Sequence, residues 1–192
     1  MEITFSQKLN RIKELCAVQG STDPVAIAKT LMQDPLISIH GPEHHILDGA
    51  AFLTALHNAG VSFDFDAAFE ELRQRGKKMP GAICGQWGIC GSAASVGASL
   101  AILHNTGPLS DNDYYKDNLK LPSRILSRMA EIGGPRCCKR NAFLSLQTAS
   151  DFVRENYDIP LESHEIKCGF FPKNEQCIGK RCPFSPKKEA DI

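Results

Sequence analysis

The sequence predicts a mainly α-helical protein: a compact domain of about seven helices over residues 1–158, an irregular Cys-rich metal knuckle packed on it over 159–184, and a flexible tail over 185–192. Three observations predict it. Apolar residues recur at three- and four-residue spacing through most of the chain. Capping residues open these runs and Gly or Pro closes them. No segment alternates convincingly over strand length, although short strands near Ile166 or Phe170 would fit the C-terminal segment.

Phe5, Leu9, Ile12 and Leu15 define a first amphipathic helix from Ser6 to Val18. Asp23-Pro24 is an N-cap and first-turn pair for a second helix, which runs through Leu31 and Met32 to a stop at Pro35. Pro42 opens a third helix, stopped at Asn58-Ala59-Gly60. The fourth, Phe65 to Lys78, carries acids early and bases late, which complements its dipole. The fifth spans Ile89 to His104, rich in Gly, Ala and Ser, with Gly91, Ala94, Gly97 and Ala101 on a face that admits another helix closely. A polar loop follows from Thr106 to Lys120. The sixth helix runs from Pro122 to Ile132, stopped by Gly133-Gly134-Pro135, and the seventh from Cys138 to Tyr157. From Asp158 onward prolines, glycines and three cysteines replace helical periodicity.

With 192 residues, 42% of them hydrophobic, the chain can bury a core without disulfides. Its 22 basic and 22 acidic residues cancel, which disfavours nucleic-acid or membrane binding through bulk charge. The N-terminus is charged and amphipathic, without the apolar core of a signal peptide, so a cytoplasmic protein is expected. The longest apolar stretch, Ile89 to Leu103, is shorter than the ~20 residues of a membrane span. Thiols in the cytoplasm stay reduced, so clustered cysteines read as metal ligands or reactive groups.

Seven of the eight cysteines lie between Cys84 and Cys182. Cys168, Cys177 and Cys182 sit in a segment with little means of burying itself. One more thiol would complete an all-thiolate site for zinc or an iron–sulfur cluster. The lack of any Cys-x2-Cys pair, common in zinc ribbons, favours the cluster slightly. Upstream, Cys84 and Cys90 flank a Gly-rich turn before a helix, where a thiol is expected to be acidified. His40, His44, His45 and Asp48 form a third group. His44 and Asp48, four apart on a helix, share a face and suit a ligand or general base oriented by a carboxylate, while His45 points roughly 100° away.

The fourth group is Arg136-Cys137-Cys138-Lys139-Arg140. Adjacent side chains diverge and a disulfide between neighbours is strained, so the doublet is expected to bridge two sites. Spacing alone allows either thiol in either role. We assign Cys138 to the trio as its fourth metal ligand and Cys137, with His45, to cofactor binding at the upstream site. Cys84, Cys90, His44 and Asp48 are the candidate catalytic groups there, and Arg136 the binder of an anionic substrate group.

Four segments, Gly41-Pro-Glu-His-His45, Cys84-Gly-Gln-Trp-Gly-Ile-Cys-Gly91, Glu131-Ile-Gly-Gly-Pro-Arg-Cys-Cys-Lys-Arg140 and Asn174 through Cys177 to Cys182-Pro183, together resemble an uncharacterised family of Cys-rich bacterial and archaeal proteins. The resemblance covers roughly Ile39 to Phe184. Members of that family occur alone or joined to S-adenosylmethionine-dependent methyltransferases or radical enzymes. It implies a place in anaerobic, sulfur or methyl-transfer metabolism. The chain carries neither a Gly-x-Gly-x-x-Gly fingerprint nor a Cys-x3-Cys-x2-Cys radical motif, so such a catalytic domain would be a separate partner. Two functions remain open: a metal- or iron–sulfur-binding protein whose Cys/His site performs redox, sulfur or methyl-group transfer, and a non-catalytic accessory module with a structural zinc or cluster. A thiol-based redox sensor is a weaker third.

Overall fold

Helix α3 (His44–Asn58) is buried continuously from His44 to Leu56, apolar or small on nearly every side. A helix with no polar face has to be central. The computed structural model, which describes residues 3–186, places it against α1 (Phe5–Ala17), α2 (Pro24–Gln33), α4 (Phe65–Lys77), α6 (Gly91–Leu103) and α8 (Cys138–Tyr157). A four-residue α5 (Ile83–Gln86) and the long α7 (Asp113–Ile132) complete eight α-helices, and among the described residues there is no strand. None of these helices is long and apolar enough to cross a membrane.

The caps follow sequence chemistry. Thr4 and Gln7 close a capping box on α1, Asp23 accepts from the Val25 and Ala26 N–H groups of α2, and Asp64 caps α4. Two elements differ from expectation. The polar loop expected over Thr106 to Lys120 is largely helix, because Asn112 caps α7 ten residues before Pro122. That proline lies inside the helix, and its ring packs where Gly97 of α6 leaves room: a Cβ there would be 3.2 Å from Pro122 Cγ. The helix expected from Ile89 starts two residues later, at Gly91, and the short α5 around Cys84 precedes it.

Close packing of α3 on α6 uses one glycine and the serines of α6. Gly49 donates its N–H to Ser95 Oγ at 2.9 Å, and Ser92 Oγ meets Ser145 Oγ of α8 at 2.8 Å. A Cβ at Gly49 would stand 2.5 Å from Ser99 Oγ and 2.7 Å from Ser95 Oγ. Gly49→Ala is therefore expected to destabilise the protein by about 1–3 kcal/mol, read as a lower urea midpoint. Gly85→Ala, which faces open space, serves as the control and should shift stability by less than about 0.5 kcal/mol.

The C-terminal segment holds only the single 3-10 turns Phe171–Lys173 and Gly179–Arg181. Several contacts anchor it to the helical domain. Asp23 Oδ2 accepts from the backbone N–H of His164 at 3.2 Å and lies 2.8 Å from its Nδ1, and Phe184 meets Phe143 of α8 edge to face at 5.5 Å. No strand forms at Ile166 or Phe170. Of the tail expected from Ser185, residues 187–192 lie outside the described part of the chain.

Candidate functional site

The turn before α3 supplies a rigid polar wall. Glu43, buried at the helix N-terminus, receives Lys8 Nζ from α1 at 2.9 Å and the Ser38 N–H at 2.9 Å. Burial pushes this carboxyl up, but hydrogen bonds from its own backbone N–H, Lys8 and Ser38 more than offset that and hold it at about 2. Gly41 packs against the same carboxylate, where a Cβ would overlap it.

Behind this wall opens a cavity of about 330 Å³. His44, His45 and Asp48 of α3 line it, with Cys84, Cys90 and Cys138 opposite. The Gly91 backbone lies directly on the His45 ring, leaving no room for a side chain. Lys139, 0% exposed, donates to Ser38 O at 2.9 Å and reaches His44 Nε2 at 3.1 Å. The same nitrogen lies 3.2 Å from Ser38 O, and His44 Nδ1 stands 3.7 Å from Asp48 Oδ1. Burial lowers the Lys139 ammonium to about 8, resisted chiefly by the negative charge of Asp48. Asp48 itself is 0% exposed, and among the described residues neither of its oxygens has a hydrogen-bond partner, nor do the Nδ1 atoms of His44 and His45.

Two of the cavity thiols, Cys90 and Cys138, are raised. Cys90 caps α6, yet burial raises it, offset in part by Asn141 Nδ2 at 3.3 Å and by the Ser92 and Ala93 N–H groups. Cys138 is pushed up to about 12, again by burial first. A helix start does not overcome desolvation when the sulfur is enclosed. Cys84 lies on short α5, so Cys90 and not Cys84 stands at the head of the long helix.

A second, smaller cavity lies between α8 and the C-terminal segment. Cys137, Cys168, Cys177 and Cys182 all line it, with Phe143 and Phe184 as apolar wall. Three of these sulfurs face the N–H group two residues on: Phe170 N to Cys168 Sγ at 3.4 Å, Gly179 N to Cys177 Sγ at 3.5 Å, and Phe184 N toward Cys182. Cys137 Sγ accepts from Arg140 N at 3.4 Å and Asn174 Nδ2 at 3.3 Å. Burial raises Cys168 and Cys182, and the thiols of their neighbours add to it.

The doublet is split between the cavities in the reverse of the assignment made from sequence. Cys137, not Cys138, faces the trio. It is the extended N-cap residue of α8, with its sulfur folded back over the first turn, while Cys138 begins the helix and turns toward the histidines. The two cavities share a wall. Cys138 N–H donates to His40 Nδ1 at 3.4 Å, so His40 Nε2 carries the proton and donates to Asn174 Oδ1 at 3.0 Å, and Asn174 bonds Cys137.

Of the basic cluster, Lys139 is spent on Ser38 and His44, and Arg140 donates to Gly133 O and Pro135 O, bracing the turn that contains the cis Gly134–Pro135 bond. Arg136 stays exposed at the first cavity. Asn141, one turn beyond Cys138, was not singled out from sequence; its spacing of three from Cys138 was the available signal. The eighth cysteine, Cys16, is core: burial raises it to about 11. Among the described residues no three His, Cys, Asp or Glu side chains stand close enough, as placed, to hold a metal ion.

These features define a helical protein with two adjoining cysteine-lined cavities. The chain belongs to a family of unknown function, DUF5714, whose model matches residues 12–185. No curated protein and no solved structure matches it.

Proposed function

We propose that the protein is a cytoplasmic iron–sulfur redox protein, with Cys137, Cys168, Cys177 and Cys182 as cluster ligands and the His/Cys cavity as its substrate site. The observation that carries this reading is the split doublet, which gives each cavity one of two adjacent sulfurs. Four thiols around one cavity, each offered an N–H donor, are the donor set such a cluster takes. A single tetrahedral zinc with ~2.3 Å bonds would need sulfurs about 3.8 Å apart. The lack of any Cys-x2-Cys pair, common in zinc ribbons, favours a cluster slightly over that zinc.

When bound, the cluster would supply or accept single electrons. The chain's own residues do the rest. Phe143 and Phe184 give the sulfur cavity an apolar side, and the His40–Asn174 pair ties the Cys137 sulfur to the substrate side. Lys139 and the Ser38 carbonyl hold His44 Nε2, which keeps the other ring nitrogen beside Asp48 in the cavity.

A second reading, the accessory module, draws support from Trp87 and Ile89. They are 63% and 42% exposed on the strap between Cys84 and Cys90, where a methyltransferase or radical-enzyme partner could cover the cavity.

Purification without oxygen tests the primary reading. It should yield iron and acid-labile sulfide in equal amounts, about four each per chain, with visible absorption bleached on reduction. Cys182→Ser should lose both, and Cys84→Ala should keep them. One zinc per chain without sulfide or colour would overturn the cluster and leave the structural module.

A further inference from the structure

The first cavity has a charge pattern that the redox reading does not use. Asp48 is wholly buried, lines the cavity, and among the described residues neither carboxylate oxygen has a hydrogen-bond donor, His44 Nδ1 standing 3.7 Å away. A buried carboxylate in that state costs free energy until something donates to it. The adjacent cation, Lys139, points its hydrogen bonds to Ser38 and His44 instead. Arg136, the other charge at this cavity, has no ion pair or hydrogen bond among the described residues and stands exposed on its lining. An unsatisfied anion inside and an unengaged guanidinium at the solvent side form a two-ended receptor. Cys84, Cys90 and Cys138 line the same cavity, thiols that behave as small, polarisable apolar groups.

We infer that this cavity binds a free α-amino acid with an apolar or thioether side chain, its ammonium on Asp48, its carboxylate on Arg136 and its side chain against the three thiols. The fit is chemical at each end. An ammonium brings three donors to two vacant acceptor oxygens, and a guanidinium takes a carboxylate with two parallel bonds. The size agrees. A cavity of about 330 Å³ equals the liquid volume of roughly eleven waters, which suits a molecule of about a dozen non-hydrogen atoms. The inference rests on reading this cavity as the substrate site, but not on the cluster.

The test is calorimetric titration of the anaerobically purified full chain with L-methionine, with 4-(methylthio)butanoate, which lacks the amine, and with 3-(methylthio)propylamine, which lacks the carboxylate. Saturable binding of methionine is expected, with each truncated ligand at least tenfold weaker. Asp48→Asn, nearly isosteric, should abolish methionine binding. Arg136→Ala should bring methionine down to the affinity of the amine alone. No binding of methionine to the wild type, or equal binding of the deaminated ligand, overturns the inference. These wild-type arms decide it even if a variant fails to fold. Iron and sulfide are measured on the same samples, so loss of the cluster reading and loss of this one register separately.

Discussion

Cys137→Ala is expected to strip the protein of iron and sulfide, from about four irons per chain to none, whereas Cys138→Ala keeps both. Few neighbouring residues should differ so sharply. The physical cause is backbone direction at the head of α8. Cys137 is the N-cap, with φ −146° and ψ 108°, and its sulfur turns toward Cys168, Cys177 and Cys182. One residue later the chain is helical, and the Cys138 sulfur is delivered among His40, Asp48 and Cys90. Removing Cys137 also strands the Asn174 amide that donates to it, so Asn174→Ala should weaken iron retention without abolishing it. Iron lost from Cys138→Ala and retained by Cys137→Ala would show the doublet to be placed the other way round.

Glu43→Gln should cost about 2–3 kcal/mol of stability near neutral pH, with the difference from wild type closing on acidification. The carboxyl is held at about 2, against an ordinary 4.5. A group depressed by folding contributes its full stabilisation above its unfolded value. That stabilisation is lost as pH falls from about 4.5 toward about 2, where the folded carboxylate takes up its proton. Lys8 from α1 and the Ser38 N–H supply the interaction, and Lys139 of α8 adds positive charge nearby. Denaturant unfolding at neutral pH and at pH values within that window measures it. A constant gap between Glu43→Gln and wild type across the window would mean that the ion pair is not the source.

Much of this protein was legible in its residues because the signals are local. Asp23 with Pro24 caps the helix it announces. The His44–Asp48 pair follows from helical spacing alone. Pro122 misled for a local reason too: proline is a good first-turn residue, and its tolerance inside α7 depends on the space left by Gly97 on another helix. The raised cavity thiols were illegible for the same kind of reason. A helix start is visible in sequence, but the enclosure that outweighs it at Cys90 is not.

The sequence by itself determined the helical class, the cap positions, and an inventory of thiols and imidazoles in excess of what a core needs. Local propensity and composition are properties of neighbouring residues, so they can be read in order along the chain. Only the tertiary structure decided how that inventory is divided. It brought His40 to Asn174 across 134 positions, buried Asp48 without a hydrogen bond from any described residue, and turned Cys137 and Cys138 into different cavities. Such outcomes depend on the direction in which each side chain leaves a packed backbone, and that direction is settled by contacts between elements far apart in the chain.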